Sequence, residues 1–257
     1  MPITDPLDLS GCVLWLDGSQ ESYANGAAVP TWTDRSGNGN HATQATAANR
    51  PTYDAVTQGI KFDGVNDFLV LPVGLFDIGA GSTYIAGFYS ELASQRYMLA
   101  ATDTTSPGGE SRRWYFSAIN ATEMQFTIGS ETPAPDPSWW LRFNNDDPRR
   151  RVWGLRSDGM TGYGSMSCYE DRSQAFPAGT LPWTGAASRA PHLGQSTGGG
   201  GWMDGQEFEV VHYNRKLTDT ENADVMQYLK EKWRVACGVA WVIGMGPMST
   251  PTDSGWQ

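Results

Sequence analysis

The segment of residues 32–44, WTDRSGNGNHATQ, decides the fold. Its tryptophan leads into five consecutive turn-forming residues at 36–40. The carboxylate of Asp34 can accept hydrogen bonds from backbone N–H groups two or three residues on, and Gly37 and Gly39 can supply the positive φ that a tight loop needs. With Trp32 anchored in a core, the pattern predicts a rigid corner of the kind that a sandwich of strands needs in order to close.

Short alternating runs outside this corner predict strands. In residues 59–63, GIKFD, Ile60 and Phe62 point one way while Lys61 and Asp63 point the other. Glycine and proline punctuate nearly every gap, and the chain has 30 Gly, 15 Pro and 11 Trp, a usage typical of many short strands joined by tight turns. Further strands are predicted at residues 13–16, 83–89, 96–100, 114–117, 124–128, 139–143, 152–155 and 208–213.

The segment that follows residues 59–63 predicts a hairpin. After a turn at residues 64–67, the run FLVLP at 68–72 is apolar on both faces. Together the two runs favour paired strands, the second more deeply buried than the first.

One segment has a helical pattern instead. In residues 217–233, LTDTENADVMQYLKEKW, Thr218 and Glu221 form a capping box that would satisfy two backbone donors. Val225, Leu229 and other apolar residues recur at helical spacing. The segment therefore predicts a helix that covers an edge or end of the sandwich.

Composition excludes several function classes. The 257 residues carry a formal net charge of −10, and a duplex phosphate backbone would repel such a surface, so nucleic acid is not an expected partner. Three cysteines without a C-x-x-C pair do not suggest a zinc site or a disulfide framework. The first residues lack the basic start and apolar core of a signal peptide, and the longest apolar run, residues 235–245, is too short to span a bilayer. We therefore expect a protein made in a cytoplasm, without membrane insertion.

Several motifs resemble one family in their order along the chain. They are VLWLDGS at 13–19, the corner at 32–44, RPTY at 50–53, GIKFDGVNDFL at 59–69 and the closing segment at 198–233. They resemble laminin-G-like, concanavalin A-like jelly rolls of bacterial and phage proteins. The resemblance implies an all-β fold of two antiparallel sheets packed face to face, with one C-terminal helix. It covers residues 10–234 as one domain and leaves an N-terminal arm at 1–9 and an extension at 235–257.

The resemblance also implies a ligand for the corner. Loops of related lectin-type domains bind calcium or a sugar, and here Asp34, Asn38 and Asn40 would offer the oxygens. Calcium takes six to eight oxygen ligands, preferably with several carboxylates, and this loop has one carboxylate. We therefore favour the structural corner, with calcium as the alternative, and expect no other cofactor.

Related jelly rolls include glycosidases, and one strand of this chain carries two carboxylates that could act as a catalytic pair. Glu207 and Glu209 alternate along one predicted strand and should share a face, opposite Phe208 and Val210. The aspartate and third carboxylate of the laminarinase-type motif are missing. We expect two glutamates on a partly wet strand face and no enzyme, and we keep a glycoside hydrolase that uses this pair as an alternative.

Two non-enzymatic functions remain. A carbohydrate-binding module of a cell-surface or secreted bacterial protein would stack sugars on exposed rings. The candidate residues are Trp139, Trp140, Trp153, Trp183 and Trp202. Trp139 and Trp140 are adjacent on a strand and should face opposite sides, so one ring should reach solvent.

The other function is that of an assembly component. The C-terminal extension carries apolar residues that would gain from docking on a partner: Val239, Trp241, Ile243 and Met245. The alternative is that the extension adds a strand to its own sandwich. Together with the absence of a signal peptide and the resemblance to a family of phage proteins, this extension leads us to expect a bacteriophage virion protein, either a capsid decoration or a tail-associated subunit. Its partners would be other virion subunits or further copies of itself, with adhesion to a cell-surface glycan as a second role.

Overall fold

The computed structural model describes residues 2–76, 80–89, 96–103, 112–120, 123–130, 139–144, 151–158, 166–170, 172–175 and 189–234. These residues form two antiparallel sheets and one α-helix near the C-terminus, with three short 3₁₀ helices in the N-terminal part. The all-β sandwich with a C-terminal helix is thus confirmed. In the described part of the chain, no helix is long and apolar enough to cross a membrane.

The first sheet has eight strands. They are β1 (Cys12–Asp17), β4 (Thr52–Asp54), β5 (Gly59–Asp63), β7 (Ala80–Tyr89), β12 (Arg151–Asp158), β13 (Met166–Glu170), β14 (Arg172–Ala175) and β16 (Asp204–Tyr213). Their order is β14-β13-β12-β7-β16-β5-β4, and β1 pairs with β16 on the side that β5 also uses. The strand β16 therefore lies at the centre of this sheet.

The second sheet also has eight strands. They are β2 (Thr31–Trp32), β3 (Ala42–Thr43), β6 (Leu69–Val70), β8 (Arg96–Asp103), β9 (Arg112–Asn120), β10 (Glu123–Ser130), β11 (Trp139–Asn144) and β15 (His192–Leu193). Their order is β11-β10-β9-β8-β15-β6-β3-β2. Each strand that alternation predicted is present in one of the two sheets.

The core lies between the sheets, because inward side chains from both belong to one apolar cluster. From the first sheet come Leu14, Leu16, Ile60, Phe62, Ile85, Trp153 and Val210, and from the second Trp32, Leu69, Leu99, Phe116 and Leu193. Trp32 has no exposed surface, as expected for the anchor of the corner. Trp153 is also buried, which removes it as a sugar-stacking candidate.

The helix α1 (Asp219–Trp233) covers the other face of the first sheet. Thr218 is its N-cap, and the predicted capping box with Glu221 is present in both directions. Val225, Leu229 and Trp233 bury their side chains in a second apolar cluster whose strand members are Trp15, Tyr84, Ala86, Val152, Phe208, Val211 and Tyr213. The predicted helix is therefore confirmed, and it packs on the sheet's face.

The N-terminal arm lies against this helix-side cluster. Ile3 and Leu9 pack on the cluster, and the Tyr213 hydroxyl donates a hydrogen bond of 3.0 Å to the carbonyl of Pro6. Pro6 begins a 3₁₀ helix (Pro6–Asp8), and two more follow at Gly18–Gln20 and Ala47–Asn49. The proposed domain boundaries stay predictions, and residues 235–257 lie outside the described part of the chain.

The predicted hairpin at residues 59–72 was wrong. β5 belongs to the first sheet and β6 to the second, so the chain crosses the core between them. Asp63 Oδ1 accepts bonds from the N–H groups of Val65 and Asn66, and Asp67 Oδ2 accepts from the N–H of Asp63. These bonds close an arch that lets the apolar residues of both strands face one core from opposite sides.

Candidate functional site

The corner at residues 32–44 is built around the carboxylate of Asp34. Its Oδ1 accepts from the N–H groups of Trp15 and Ser36, both at 2.9 Å. Its Oδ2 accepts from the Ser36 hydroxyl and from the N–H of Asn40, both at 2.8 Å. Both oxygens are therefore committed to holding the loop against β1, which confirms the predicted corner.

The glycines and asparagines of this corner serve the same purpose. Gly37 and Gly39 have φ of 86° and 74°. The side-chain amide of Asn40 donates to the carbonyl of Val13 at 2.8 Å, and that of Asn38 to the carbonyl of Cys12 at 3.3 Å. A cation would have to displace the donors of Asp34 or use the side-chain oxygens of the two asparagines. Among the residues that the structure describes, no three or more His, Cys, Asp or Glu side chains form a group that could hold a metal.

The expectation that Glu207 and Glu209 share a face was wrong. Glu207 is opposite Ile60 and Gly87, whereas Glu209 is opposite Ala86, so Phe208 is the extra residue of a β-bulge. Ile60 belongs to the core between the sheets and Ala86 to the cluster under the helix. The two carboxyl groups therefore lie on opposite faces of the first sheet, and both are buried rather than partly wet.

Glu209 is the centre of a hydrogen-bond network under the helix. Its Oε1 accepts from the indole N–H of Trp15 at 2.7 Å and from the Tyr228 hydroxyl at 3.0 Å, and its Oε2 accepts from the indole N–H of Trp233 at 2.7 Å. Lys232 Nζ lies 2.8 Å from the same oxygen. Burial raises the pKa of Glu209, while the charge of Lys232 lowers it in part. Since the carboxylate is held by groups that dock the helix, it is structural.

Glu207 has the opposite environment. It has no exposed surface, and among the described residues neither of its side-chain oxygens has a hydrogen-bond partner. Burial alone raises its pKa well above the ordinary value of 4.5. We have no physical account of what this carboxyl group contributes to the fold.

The face of the second sheet that points away from the first sheet, here the outward face, carries aromatic residues. Leu99 and Phe116 are paired across β8 and β9, and both lie in the core. Their strand neighbours Ala100 and Tyr115, which are also paired, therefore lie on the outward face. Tyr115 is half-buried, and Ala100 is opposite His192 on its other side.

One row of the outward face crosses five strands. In order it contains His192, Ala100, Tyr115, Thr127 and Trp140. Strands lie about 4.8 Å apart, so the positions of Tyr115 and Trp140 are about 10 Å apart. Ring-bearing and small residues thus alternate along what we call the aromatic row. Tyr97 lies next to this row, on the other side of the register shift between Tyr97 and Leu99. The centroid of its ring lies 4.9 Å from that of Tyr115.

Of the predicted sugar-stacking tryptophans, Trp139 and Trp140 can be placed on the faces of the second sheet by the register of β11. Trp140 is opposite Thr127 and Trp139 opposite Ile128, so their positions belong to opposite faces as predicted. Their side chains, and the whole of Trp183, lie outside the described part of the chain. So do the predicted docking residues Val239, Trp241, Ile243 and Met245, whose role stays a prediction.

Trp202 is half-buried and lies beside the outward face. It follows Gly201, whose carbonyl accepts a bond of 3.0 Å from the N–H of Tyr97. The loop that carries it begins at Gly194, which has φ of 82°. Tyr97, Tyr115 and His192 were missed by the sequence reasoning, because only the pairing of β8 with β15 on one side and with β9 on the other brings them together.

A groove of about 360 Å³ lies elsewhere, beside β4. It is lined by Asn25, Gly26, Thr52, Tyr53, Asp54, Val56, Thr57 and Lys61. Asp54 is used internally, since its oxygens accept from the N–H groups of Val56 and Thr57 and from the side-chain amide of Gln206. No ring face opens into the groove, because Tyr53 is 4% exposed.

Comparison with known proteins finds no family model and no curated protein that matches this chain. Solved structures do match. Trypanosoma rangeli sialidase gives a TM-score of 0.60 at 17% identity, and its complex with sialic acid gives 0.59 at 18%. Each match covers 87% of this chain and 33% of the sialidase, so this chain spans about a third of that enzyme's length. At such identities the likeness shows the fold alone, a two-sheeted antiparallel jelly-roll β-sandwich.

A shorter match is the CBM40 module of Ruminococcus gnavus IT-sialidase. Bound to α2,3-sialyllactose, it gives a TM-score of 0.46 at 13% identity over 65% of this chain and 95% of the module. A likeness this weak supports no conclusion by itself. The sialidase matches correct the prediction of a bacteriophage virion protein, because the solved proteins found to share the fold over most of this chain are sialidases.

Proposed function

We propose that this chain is a non-catalytic carbohydrate-binding module whose ligand lies on the outward face of the second sheet. The aromatic row carries the proposal. Ring faces at Tyr115 and at the position of Trp140 can stack on the apolar faces of sugars. Ala100 and Thr127, which have small side chains, occupy the positions of the row between the ring-bearing residues.

The fold supports this proposal. The sialidase that shares the fold was solved in complex with sialic acid, so its chain binds a sugar, although this chain matches only a third of it. The opposite face of this sandwich is covered in part by the helix α1 and the N-terminal arm. On the outward face of the second sheet, Tyr115 and His192 are half-buried, whereas Tyr97, Ala100 and Ser117 are buried, so a glycan would contact the described part of this face at Tyr115 and His192.

The geometry of the two glutamates disfavours the glycoside hydrolase. A retaining mechanism needs two carboxyl groups about 5–5.5 Å apart on the two sides of one bond. Glu207 and Glu209 are separated by the sheet itself, and Glu209 is held by two indole donors and a lysine. We therefore propose binding without hydrolysis.

The test is a glycan-binding screen followed by titration calorimetry on the full chain and four variants, one of which is Lys61→Gln. Tyr115→Ala removes the ring and should weaken binding about tenfold, the usual worth of an aromatic contact. Tyr115→Phe keeps the ring and should bind within a factor of about two to three. Phe88→Ala removes a half-buried ring from the first sheet and should leave the affinity unchanged.

Two results would refute the proposal. One is that the full chain binds no glycan at any concentration tested, although circular dichroism shows that the full chain and its variants are folded. The other is binding that survives Tyr115→Ala but is lost in Lys61→Gln, since that would move the site to the groove beside β4.

A further inference from the structure

The groove beside β4 contains polar groups that the fold does not use. Its volume of about 360 Å³ lies at the lower end of the range for ligand pockets. Three side chains of its lining carry hydrogen-bond donors, namely the Lys61 ammonium, the Thr52 hydroxyl and the Asn25 amide. Within the described part of the chain, none of these donor groups has a partner. The groove therefore offers three donor groups to a ligand.

Two of these donor groups lie side by side on the outer face of the first sheet. Thr52 of β4 is directly opposite Lys61 of β5. Their neighbours Tyr53 and Ile60, which are also paired, belong to the core between the sheets. Alternation therefore turns Thr52 and Lys61 away from the core, with their Cβ atoms about 5 Å apart. Lys61 is exposed and Thr52 is half-buried, so a ligand in the groove can reach both.

The third donor group is held at the turn between β4 and β5. Asn25 Oδ1 accepts a bond of 3.0 Å from the N–H of Ala55, which fixes the orientation of the side-chain amide. Only the oxygen of an amide can accept from an N–H, so the Nδ2 group of Asn25 is left to donate. The adjacent Gly26 has φ of 75°, and a Cβ atom there would meet nothing within 4 Å. The space beside this donor is therefore open.

The acceptors of the lining, in contrast, are used within the fold. The carboxylate of Asp54 accepts from two backbone N–H groups and from the side-chain amide of Gln206. The Thr57 hydroxyl donates to the side-chain oxygen of Gln206 at 2.7 Å, and the Tyr53 hydroxyl donates to the carbonyl of Gly18 at 3.1 Å. A ligand that brings acceptors therefore fits this lining better than one that brings donors.

We infer that the groove binds a small molecule through a phosphate group, with Lys61 as the residue that supplies the opposite charge. A phosphate group presents three strong acceptor oxygens, one for each donor group, whereas a carboxylate presents two. Val56, which also lines the groove and is 87% exposed, can contact an apolar part of the same molecule. The inference concerns a second site and does not depend on the proposed carbohydrate site at Tyr115.

The experiment is a titration of the full chain with inorganic phosphate, followed by ¹⁵N NMR at neutral pH. Chloride keeps the ionic strength constant, so that general screening does not change during the titration. The wild type should bind saturably with a Kd on the order of 1 mM, and the shifts should concentrate on Asn25, Gly26 and Lys61. Acetate, which offers one acceptor oxygen fewer, should bind about fivefold more weakly.

Four variants test the assignment. Lys61→Gln removes the cation and should weaken phosphate binding about tenfold, the worth of a hydrogen bond to a charged group, whereas Lys61→Arg keeps the charge and should bind within a factor of about three. Asn25→Asp keeps the acceptor for the Ala55 N–H but replaces the donor with a negative charge, so it should also weaken binding about tenfold. Arg189→Gln makes the same change in net charge as Lys61→Gln at an exposed residue outside the lining and should leave the affinity unchanged.

Three results would overturn the inference. The first is shifts that rise linearly with phosphate or spread over the whole surface, since these would indicate nonspecific binding. The second is an equal loss in Lys61→Gln and Arg189→Gln, which would assign the effect to the net charge of −10. The third is acetate that binds as tightly as phosphate, which would refute the phosphate assignment. Thermal unfolding checks that each variant is folded.

The groove and the carbohydrate site can fail independently. Tyr115→Ala should leave phosphate binding unchanged, because Tyr115 lies on the second sheet and the groove lies beside the first. Loss of phosphate binding in Tyr115→Ala would contradict the placement of the phosphate in the groove. A failed glycan screen with intact phosphate binding would remove the proposed function and leave this inference standing.

Discussion

Glu207 and Glu209 lie two residues apart on β16 and face opposite sides of the first sheet. The bulge at Phe208 separates them. One carboxyl group lies in the apolar core with no hydrogen-bond partner among the described residues, and the other accepts bonds from three donors and a lysine. The same residue type thus has two roles on one strand, and each role predicts a different response to substitution and to pH.

For Glu207 we expect stability to fall as the pH rises. Its folded pKa is raised well above 4.5, so above about pH 4.5 the unfolded chain releases a proton that the folded chain keeps. The stabilisation is complete below that pH. Above it, the free energy of unfolding falls by up to about 1.4 kcal/mol per pH unit until the pH reaches the folded pKa. Urea unfolding between pH 5 and 8 should show a steeper decline for the wild type than for Glu207→Gln. Parallel pH profiles would contradict this.

For Glu209 we expect a large loss on truncation. Glu209→Ala leaves the indole N–H groups of Trp15 and Trp233 without their acceptor and Lys232 without one of its carboxylates. Breaking a buried charged network costs about 3–5 kcal/mol. The measurement is the denaturant midpoint, followed by tryptophan fluorescence. Glu231→Gln, an exposed change on the same helix, should shift the free energy of unfolding by less than about 0.5 kcal/mol.

We expect the side chain of Asp34 to be essential to the corner, and we expect calcium to leave the stability of the protein unchanged. Asp34→Ala leaves three backbone donors and a hydroxyl without an acceptor and should cost about 3 kcal/mol, whereas Asn38→Ala should cost less than about 1 kcal/mol. Thermal unfolding should give the same midpoint with added calcium and with EDTA. A midpoint that rises with calcium would restore the metal site at Asp34, Asn38 and Asn40.

Asp67 should produce a second pH effect in a narrower window. Burial first, and then the charge of Asp63, raise the pKa of Asp67 from 3.8 to about 6. Its stabilising contribution is therefore complete below about pH 4 and lost by about pH 6, with a magnitude of about 1–2 kcal/mol after allowance for solvent screening. Asp67→Asn should flatten the profile in this window and leave the decline above pH 6 unchanged. A change confined to higher pH would point to another group.

Two glycines of the loop beside the outward face offer a matched pair. Gly194 and Gly199 have φ of 82° and 86°. A Cβ atom at Gly194 would lie 2.4 Å from a ring carbon of Phe62, whereas one at Gly199 would meet nothing within 4 Å. Both alanine variants suffer backbone strain, but Gly194→Ala should lose a further 1–3 kcal/mol, roughly the cost of overpacking a core. Equal unfolding midpoints would show that the ring moves aside freely.

Local chemistry made much of this fold predictable. Alternation located the strands, the Thr218–Glu221 pair located the helix, and the spacing of Asp34, Gly37 and Gly39 located the corner, because each is a contact within a few residues. The sequence could not show that β5 and β6 belong to different sheets, since an arch and a hairpin use similar turn residues.

The candidate site was less predictable for a related reason. Alternation assumes that every residue of a strand is paired, and a bulge such as that at Phe208 reverses the faces of all residues beyond it. The aromatic row is a property of register between strands that are distant in the chain, such as β15 and β8. No spacing within one strand contains that information.

The position of β16 also governs how the molecule can assemble during synthesis. Residues 204–213 pair with β1, β5 and β7, so the middle of the first sheet leaves the ribosome after every other strand that the structure describes. Until it arrives, the other strands of that sheet have unpaired edges and an exposed apolar face. Such long-range pairing slows folding and leaves nascent chains prone to association. A chaperone that holds the growing chain would therefore act on the first four-fifths of this sequence, before the final strand completes the sheet.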